Sequence, residues 1–452
     1  MNRIASRGGI VVILALALAL GFVFFLIEFS LKSGQWVVNE GSAHVYNGTN
    51  INCGVVIDSD GILLLDMQGD RRYSSDARIR KSTVHWLGDR YGKINAPALS
   101  AYADEMVDYD LLSGVYQYED SASVSQMTLN AKIQAAALEA LGNQKGCVAV
   151  YNYKTGQLLC SVSTPTYDPD NIPSDIESFD GAYWNRFVQS AYVPGSIFKT
   201  VTLAAALEAI PGVESRSFFC NGVCQLGADE ITCENAHGTQ SLKTAFTNSC
   251  NCVFAQLAQE LGADVLKKYV LQFGVIDSIT FDGVTTAEGA FTASQEPVFL
   301  GLSAIGQHED QVNPCAFMTY MGAVANNGLV TYPHIIEHVY VGDRTTYEAT
   351  TINGKQIMSQ QTAQTVVEYM RNNDVQKYGD WNFPGLSVCA KTGTADVGGN
   401  LKPNAMFTGF VIDQDYPLAF IVCVEDGGYG STVCIPIASK VLGVCKEVLD
   451  NS

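Results

Sequence analysis

Positive charge is scarce in this chain. Lys and Arg number 27 against 46 Asp and Glu, a formal net charge of -19 over 452 residues. That balance has the wrong sign for gripping a phosphate backbone, so nonspecific nucleic acid binding is excluded. Charge of either sign is sparse. At 16% charged and 47% hydrophobic, the chain is too apolar to stay disordered and must bury a core. Proline at 13 and glycine at 41 exclude collagen-like and low-complexity readings. The length allows two or three domains. Only one apolar run is long enough to span a bilayer.

That run is Ile10 to Ile27, about 27 Å as a helix at ~1.5 Å per residue, close to the hydrocarbon thickness of a membrane. Arg3 and Arg7 precede it and only Lys32 follows closely, so the positive-inside bias places residues 1–9 in the cytoplasm and the rest outside. A cleaved signal peptide is disfavoured. Ala15, Ala17 and Ala19 lie in a run that continues through Phe22, Phe24 and Phe25 without a polar cleavage site. The expectation is a single-pass protein of the cell membrane, anchored by residues 10–27.

Cysteine, by contrast, is plentiful: 13 residues, an odd number that leaves at least one thiol unpaired in a monomer. Cys147, Cys160, Cys389 and Cys423 lie in strand-like apolar runs, where a free Cys acts as a small buried hydrophobe. Cys220, Cys224 and Cys233 lie in a polar stretch with glycine, open to a disulfide or, with His237, a metal. Irregular spacing and no obvious fourth ligand favour a Cys220–Cys233 disulfide or plain thiols, and no metal is expected.

Beyond the anchor, Val55-Val56-Ile57 and Ile62-Leu63-Leu64-Leu65 flank an Asp58-Ser59-Asp60-Gly61 turn, a hairpin signal within a small first domain over 28–125. Residues 129–141 are rich in helix formers with apolar residues at helical steps. Strands are predicted at 147–151 and 157–162, helices over much of 198–273 and at 312–326. Further strands follow at 386–390, 406–412 and 418–424, then a last helix at 436–449. A sheet built from the two ends of a 126–452 domain, with helices inserted between, gives an α/β class.

Three motifs carry chemistry. Pro194-Gly195-Ser196-Ile197-Phe198-Lys199 opens a helix, and the three-residue step puts Ser196 and Lys199 on one face. A serine becomes a nucleophile when a base takes its proton, and a lysine kept neutral can be that base. Ser249-Cys250-Asn251 offers a hydroxyl and a carboxamide at a polar break between helical runs. Lys391-Thr392-Gly393-Thr394 follows a strand-like run, and Gly393, lacking a side chain, lets a peptide come close. A second Lys-Thr-Gly at 154–156 precedes the serine and is a plain hairpin turn.

In this order the three motifs resemble the active-site trio of penicillin-binding proteins and serine β-lactamases. The resemblance runs from about Ser125 to Asn451, through Pro165-Thr166-Tyr167-Asp168-Pro169, Asn185-Arg186, Gly306-Gln307 and Phe407-Thr408-Gly409-Phe410. With one anchor ahead, the chain looks like a class B penicillin-binding protein. That implies an antiparallel sheet flanked by helices, a helical lobe and a small N-terminal pedestal. By the same resemblance Ser196 attacks a D-Ala-D-Ala stem peptide or a β-lactam, Lys199 is its base, and Ser249 and Lys391 pass a proton to the leaving amine. Asn251 holds a substrate amide, Thr392 and Thr394 take the terminal carboxylate, and the N–H groups of Ser196 and Thr394 form the oxyanion hole. An amine from a neighbouring stem completes a peptidoglycan crosslink, and no cofactor is required.

The chain departs from the family pattern at Cys53 to Gly61, where two arginines of the first-domain motif are missing, and at Asn404-Ala405-Met406-Phe407, which lacks the usual His and Trp. A first domain of about 100 residues is too short for a glycan polymerase, so a separate membrane polymerase is implied as partner. Cys220, Cys233 and His237 resemble in position the zinc loop of some elongation-type relatives. A D,D-carboxypeptidase, with water as acceptor, is the nearest rival. A catalytically silent cell-wall scaffold stands behind it. A β-lactamase lacks support, since no Glu-x-x-Leu-Asn stretch lies between Ser249 and Lys391.

Overall fold

The computed structural model describes residues 2–38, 42, 45–47, 50–107, 122–399 and 401–451. Helix Asn2–Val37 carries a candidate membrane span at Arg7–Ser33. The apolar side chains of Ile10 to Ile27, Leu18 and Leu20 among them, are exposed with no protein cover.

Five antiparallel strands form the central sheet, in the order Val388–Ala395, Asn404–Val411, Leu418–Glu425, Lys145–Asn152 and Leu158–Thr164. Both ends of the expected 126–452 segment therefore build one sheet, as the order of elements predicts. Alternation decides which side chains go where. Val148, Val150, Phe420 and Val422 point to a layer made by helices Ala131–Leu141 and Gly430–Leu449. Cys147, Ala149, Tyr151, Ala419 and Ile421 point the other way, onto Pro314–Ala325 and the helical lobe beyond it. The four strand cysteines are buried, and all 13 cysteines are free thiols. Asn130 and Asn313 start their helices by accepting backbone N–H groups with their side-chain oxygens.

A second sheet, of six strands, joins distant parts of the chain. Its order is Arg344–Glu348, Ile336–Val341, Ser123–Met127, Val55–Ile57, Leu63–Asp66 and Arg72–Tyr73. The 55–57 and 63–66 pair is the hairpin read from the sequence. Position 125 lies inside a strand of this sheet, and 336–348 return to pair there. Buried Asp58 ties the hairpin turn to the next helix, accepting from the backbone N–H of Asp60, Ile62 and Ala131. Arg80 grips Asp168 with two bonds of 2.7 and 2.6 Å, fastening helix Ala77–Leu87 to the Pro165–Pro169 phrase.

Two expectations need correction. Residues 217–241, assigned to a helical stretch, fold as two small antiparallel pairs, Ser217–Cys220 with Gly238–Ser241 and Val223–Leu226 with Asp229–Thr232. Each strand has four residues, too few for its alternation to stand out from the helix pattern on either side. The last helix starts at Gly430, with Pro436 inside it at the loss of one helical bond.

Candidate active site

Ser196 sits on a tight turn. Residues Gly195–Phe198 form a 3-10 segment that runs into helix Lys199–Ala209. With three residues per turn, side chains three apart eclipse, so Ser196 and Lys199 face the same way. Gly195 has φ +56, and a Cβ there would lie 2.5 Å from the Thr394 carbonyl oxygen. A Cβ on Gly393 would meet the Pro194 carbonyl oxygen at 2.7 Å. The two glycines let the Ser196 turn lie directly on the strand that carries Lys391.

Lys199 is fully buried and Lys391 is 1% exposed. The Lys199 ammonium donates to the Ser249 carbonyl at 2.6 Å, to Asn251 Oδ1 at 2.6 Å and to Ser249 Oγ at 3.1 Å. Lys391 donates to the same Ser249 Oγ at 3.2 Å and to the Thr392 carbonyl at 2.9 Å. One hydroxyl thus bridges two lysines. Burial lowers Lys199 from the usual amine range to about 8, outweighing the opposing charges of Cys233, Cys250 and Glu234. Burial drives Lys391 well below its ordinary value, and the charge of Lys199 adds to the effect.

Ser249 has φ 52, a left-handed conformation uncommon outside glycine, between helices Leu242–Thr247 and Asn251–Leu261. That geometry turns its carbonyl and its hydroxyl toward Lys199 together. Asn251 Nδ2 donates to the Thr232 carbonyl at 2.9 Å, which leaves its second amide hydrogen for a ligand.

Strand Val388–Ala395 is the sheet edge facing the cleft. The Thr392 N–H leaves that edge to Tyr378 Oη at 3.1 Å, and by the two-residue alternation the Thr394 N–H leaves on the same side. Gln307 Nε2 reaches the Thr394 carbonyl at 3.4 Å. A cleft of about 870 Å³ collects Ser196, Ser249, Asn251, Lys391, Thr392 and Thr394. Gln307, Lys377, Tyr378 and Tyr429 line it too. Gln307 was visible in a family phrase, whereas Lys377 and Tyr378 had no signal in the sequence.

Behind Asn251 lies a thiol cluster. The ligand atoms of Cys220, Cys233, His237 and Cys250 all fall within 4.8 Å of one another. Cys233 Sγ lies 3.7 Å from Cys250 Sγ and 3.8 Å from His237 Nδ1, and accepts from the Asn251 N–H at 3.1 Å. The contact with Cys250 and the backbone N–H groups of Asn251 and Cys252 hold the Cys233 thiol well below its ordinary range, against the burial that raises it. The Cys220–Cys233 disulfide is not formed, and Cys224 is outside the cluster. The missing fourth ligand is Cys250, inside the Ser249–Asn251 motif. Donor atoms of a tetrahedral zinc site lie about 3.8 Å apart for thiolates, so this three-Cys, one-His group fits such an ion.

Acyl transfer assisted by lysine, without a histidine base, is what this hydroxyl and these two lysines can perform. The family description "Penicillin binding protein transpeptidase domain" matches residues 146–443, and the chain belongs to that family. It is 29% identical over 330 residues to the peptidoglycan D,D-transpeptidase PbpA of Mycolicibacterium smegmatis, covering 67% of each chain. Stage V sporulation protein D of Bacillus subtilis is 28% identical over 412 residues, 85% of this chain and 60% of that one. A D,D-transpeptidase domain structure from Eggerthella lenta superposes with a TM-score of 0.76 at 26% identity, covering 88% of this chain and 98% of that one. A ceftriaxone acyl-enzyme of M. tuberculosis penicillin-binding protein A shares the fold, with a TM-score of 0.76, 24% identity and coverage of 87% and 98%.

Proposed function

We propose that this protein is a membrane-anchored peptidoglycan D,D-transpeptidase that works through a Ser196 acyl-enzyme and is acylated there by β-lactams. The observation that carries the reading is the Ser249 hydroxyl held between buried Lys199 and Lys391 beside Ser196. The name of the relative PbpA, a peptidoglycan D,D-transpeptidase, supports it.

Lys199 spends two N–H bonds on the Ser249 carbonyl and Asn251 Oδ1. When it is neutral, its lone pair is free for the Ser196 proton. Ser196 Oγ attacks the penultimate D-Ala carbonyl, and the oxyanion rests on the N–H groups of Ser196 and Thr394. The proton passes by way of Ser249 and Lys391 to the nitrogen of the departing D-Ala as the C–N bond breaks. A second stem's amine then attacks the ester, gives up one proton along the same route, and frees Ser196 as the crosslink forms. The second amide hydrogen of Asn251 holds a donor carbonyl, and Thr392 and Thr394 take the carboxylate.

Cys220, Cys233, His237 and Cys250 would hold a thiophilic dication such as zinc, whose contribution when bound is structural. Through Cys250 and the Asn251 N–H, these ligands hold the Ser249–Asn251 segment in place. The catalytic part lies outside the cytoplasmic membrane with residues 1–9 inside, and a separate membrane glycan polymerase makes the strands it joins.

The test is fluorescent penicillin labelling of the purified chain beside Ser196→Ala, followed by intact mass and by crosslinking with a donor and an amine acceptor. A stoichiometric adduct lost in the variant, with a crosslinked product, is expected. Product formed only with water would make it a carboxypeptidase, and no adduct on folded protein would make it a scaffold.

A further inference from the structure

The cleft holds a third lysine that this chemistry leaves unused. Lys377 lines the same cleft as Lys391, Thr392 and Thr394. It sits in a wide helical turn, Asp374–Tyr378, that continues helix Gln360–Asn373.

That turn is fastened to the Lys391 strand on both sides of the lysine. Tyr378 Oη meets Thr392 twice, at its N–H and at Oγ1, each at 3.1 Å. Asn373 Nδ2 donates to the Ala390 carbonyl at 3.1 Å. Arg371 donates to the Val388 carbonyl at 3.2 Å and to Asp374 at 3.1 Å. The backbone of Lys377 is therefore fixed beside Thr392.

Its ammonium, however, has no ion pair or hydrogen bond among the described residues. The acid whose field it feels is Glu234, which makes no ion pair with it within 4.0 Å. The charge of Lys377 also bears on Lys199 and Lys391. Glu230, Glu234 and Asp396 also line the cleft, but Lys377 is the cation in it that makes no ion pair or hydrogen bond among the described residues, and so is the one open to an anionic group of a ligand.

We infer that Lys377 is a specificity residue that binds the terminal carboxylate of the donor, beside the hydroxyls of Thr392 and Thr394. The inference rests on the transpeptidase reading. A charge-assisted bond of this kind separates a carboxylate donor from a neutral one, because only the carboxylate offers an anionic acceptor. Threonine hydroxyls alone discriminate less, since they can also donate to a neutral ester carbonyl.

The experiment uses two thioester donors that differ only in the leaving group, one ending in a free carboxylate and one in its methyl ester. Their kcat/KM values are measured on the detergent-solubilised full chain, on Lys377→Met and on Lys377→Arg, with melting midpoints confirming that all three are folded. The ratio of carboxylate to ester kcat/KM is expected to fall about tenfold or more in Lys377→Met and to recover most of that loss in Lys377→Arg. Equal losses on both donors, or none on either, would overturn the inference while leaving the transpeptidase reading intact. No Ser196-dependent turnover of either donor by the unmodified chain would overturn both.

Discussion

The two walls of the cleft are built by different means. One wall is strand Val388–Ala395, bonded along its length to Asn404–Val411 and backed by a helix layer. The other is 217–252, where two four-residue pairs and a helix start are joined around three thiols and an imidazole. Backbone ladders and apolar burial determine the first wall, and most interior side chains of the right size would serve. The second depends on four particular side chains. The Lys391 wall should therefore respond to steric insults, and the Ser249 wall to changes in thiol chemistry.

The largest effect should come from bringing bulk between the strand and the Ser196 turn. Gly393→Ala places a Cβ 2.7 Å from the Pro194 carbonyl oxygen, and neither backbone can yield. Displacement by even a fraction of an ångström there should lower the penicillin acylation rate at least about 100-fold with the protein still folded. Near-normal labelling of this variant would show that the strand wall is softer than its ladder suggests.

Next comes pH. As the proposed base, Lys199 would react as the neutral amine, and burial brings its pKa to about 8, so its neutral fraction falls as pH drops below that. The second-order acylation rate should decline about tenfold per unit toward acid and level off on the alkaline side. A profile that is flat from pH 6 to 9 would remove Lys199 as the base.

The thiol wall is tested by Cys250→Ser. This variant keeps Ser249 and Asn251 but deletes one of the four ligands. Bound zinc, measured by elemental analysis against protein, should drop from about one per chain to far less, and acylation should fall about tenfold. The same substitution logic applied to Cys147, also buried but in the sheet, should leave metal content unchanged. Zinc content equal in both variants would erase the distinction between the walls.

The smallest effect is expected from Tyr378→Phe. It removes the bonds to Thr392 N–H and Oγ1 and leaves the rest of the strand in its ladder. A roughly fivefold slower acylation is expected, in line with one backbone donor losing its partner.

Much of the sheet was legible because alternation is a local property. Phe420 and Val422 go to one layer and Ala419 and Ile421 to the other, as their spacing dictates. The small hairpins of 217–241 were not legible, since four-residue strands carry too little pattern. Cys250 was hidden inside a motif valued for its neighbours. Tyr378 becomes adjacent to Thr392 only because helix Gln360–Asn373 packs along the strand.

By itself the sequence determined the apolar run that can cross a membrane, the alternation of the strands and the three-residue step that puts Ser196 and Lys199 on one face. These follow from helix and strand periods, which need only near neighbours. Tertiary structure decided that one serine hydroxyl lies 3.1 Å from Lys199 and 3.2 Å from Lys391, across chain separations of 50 and 142 residues. It likewise gathered Cys220, Cys233, His237 and Cys250. Such contacts form only when the cores on both faces of the sheet close the intervening loops, and no local preference encodes that closure.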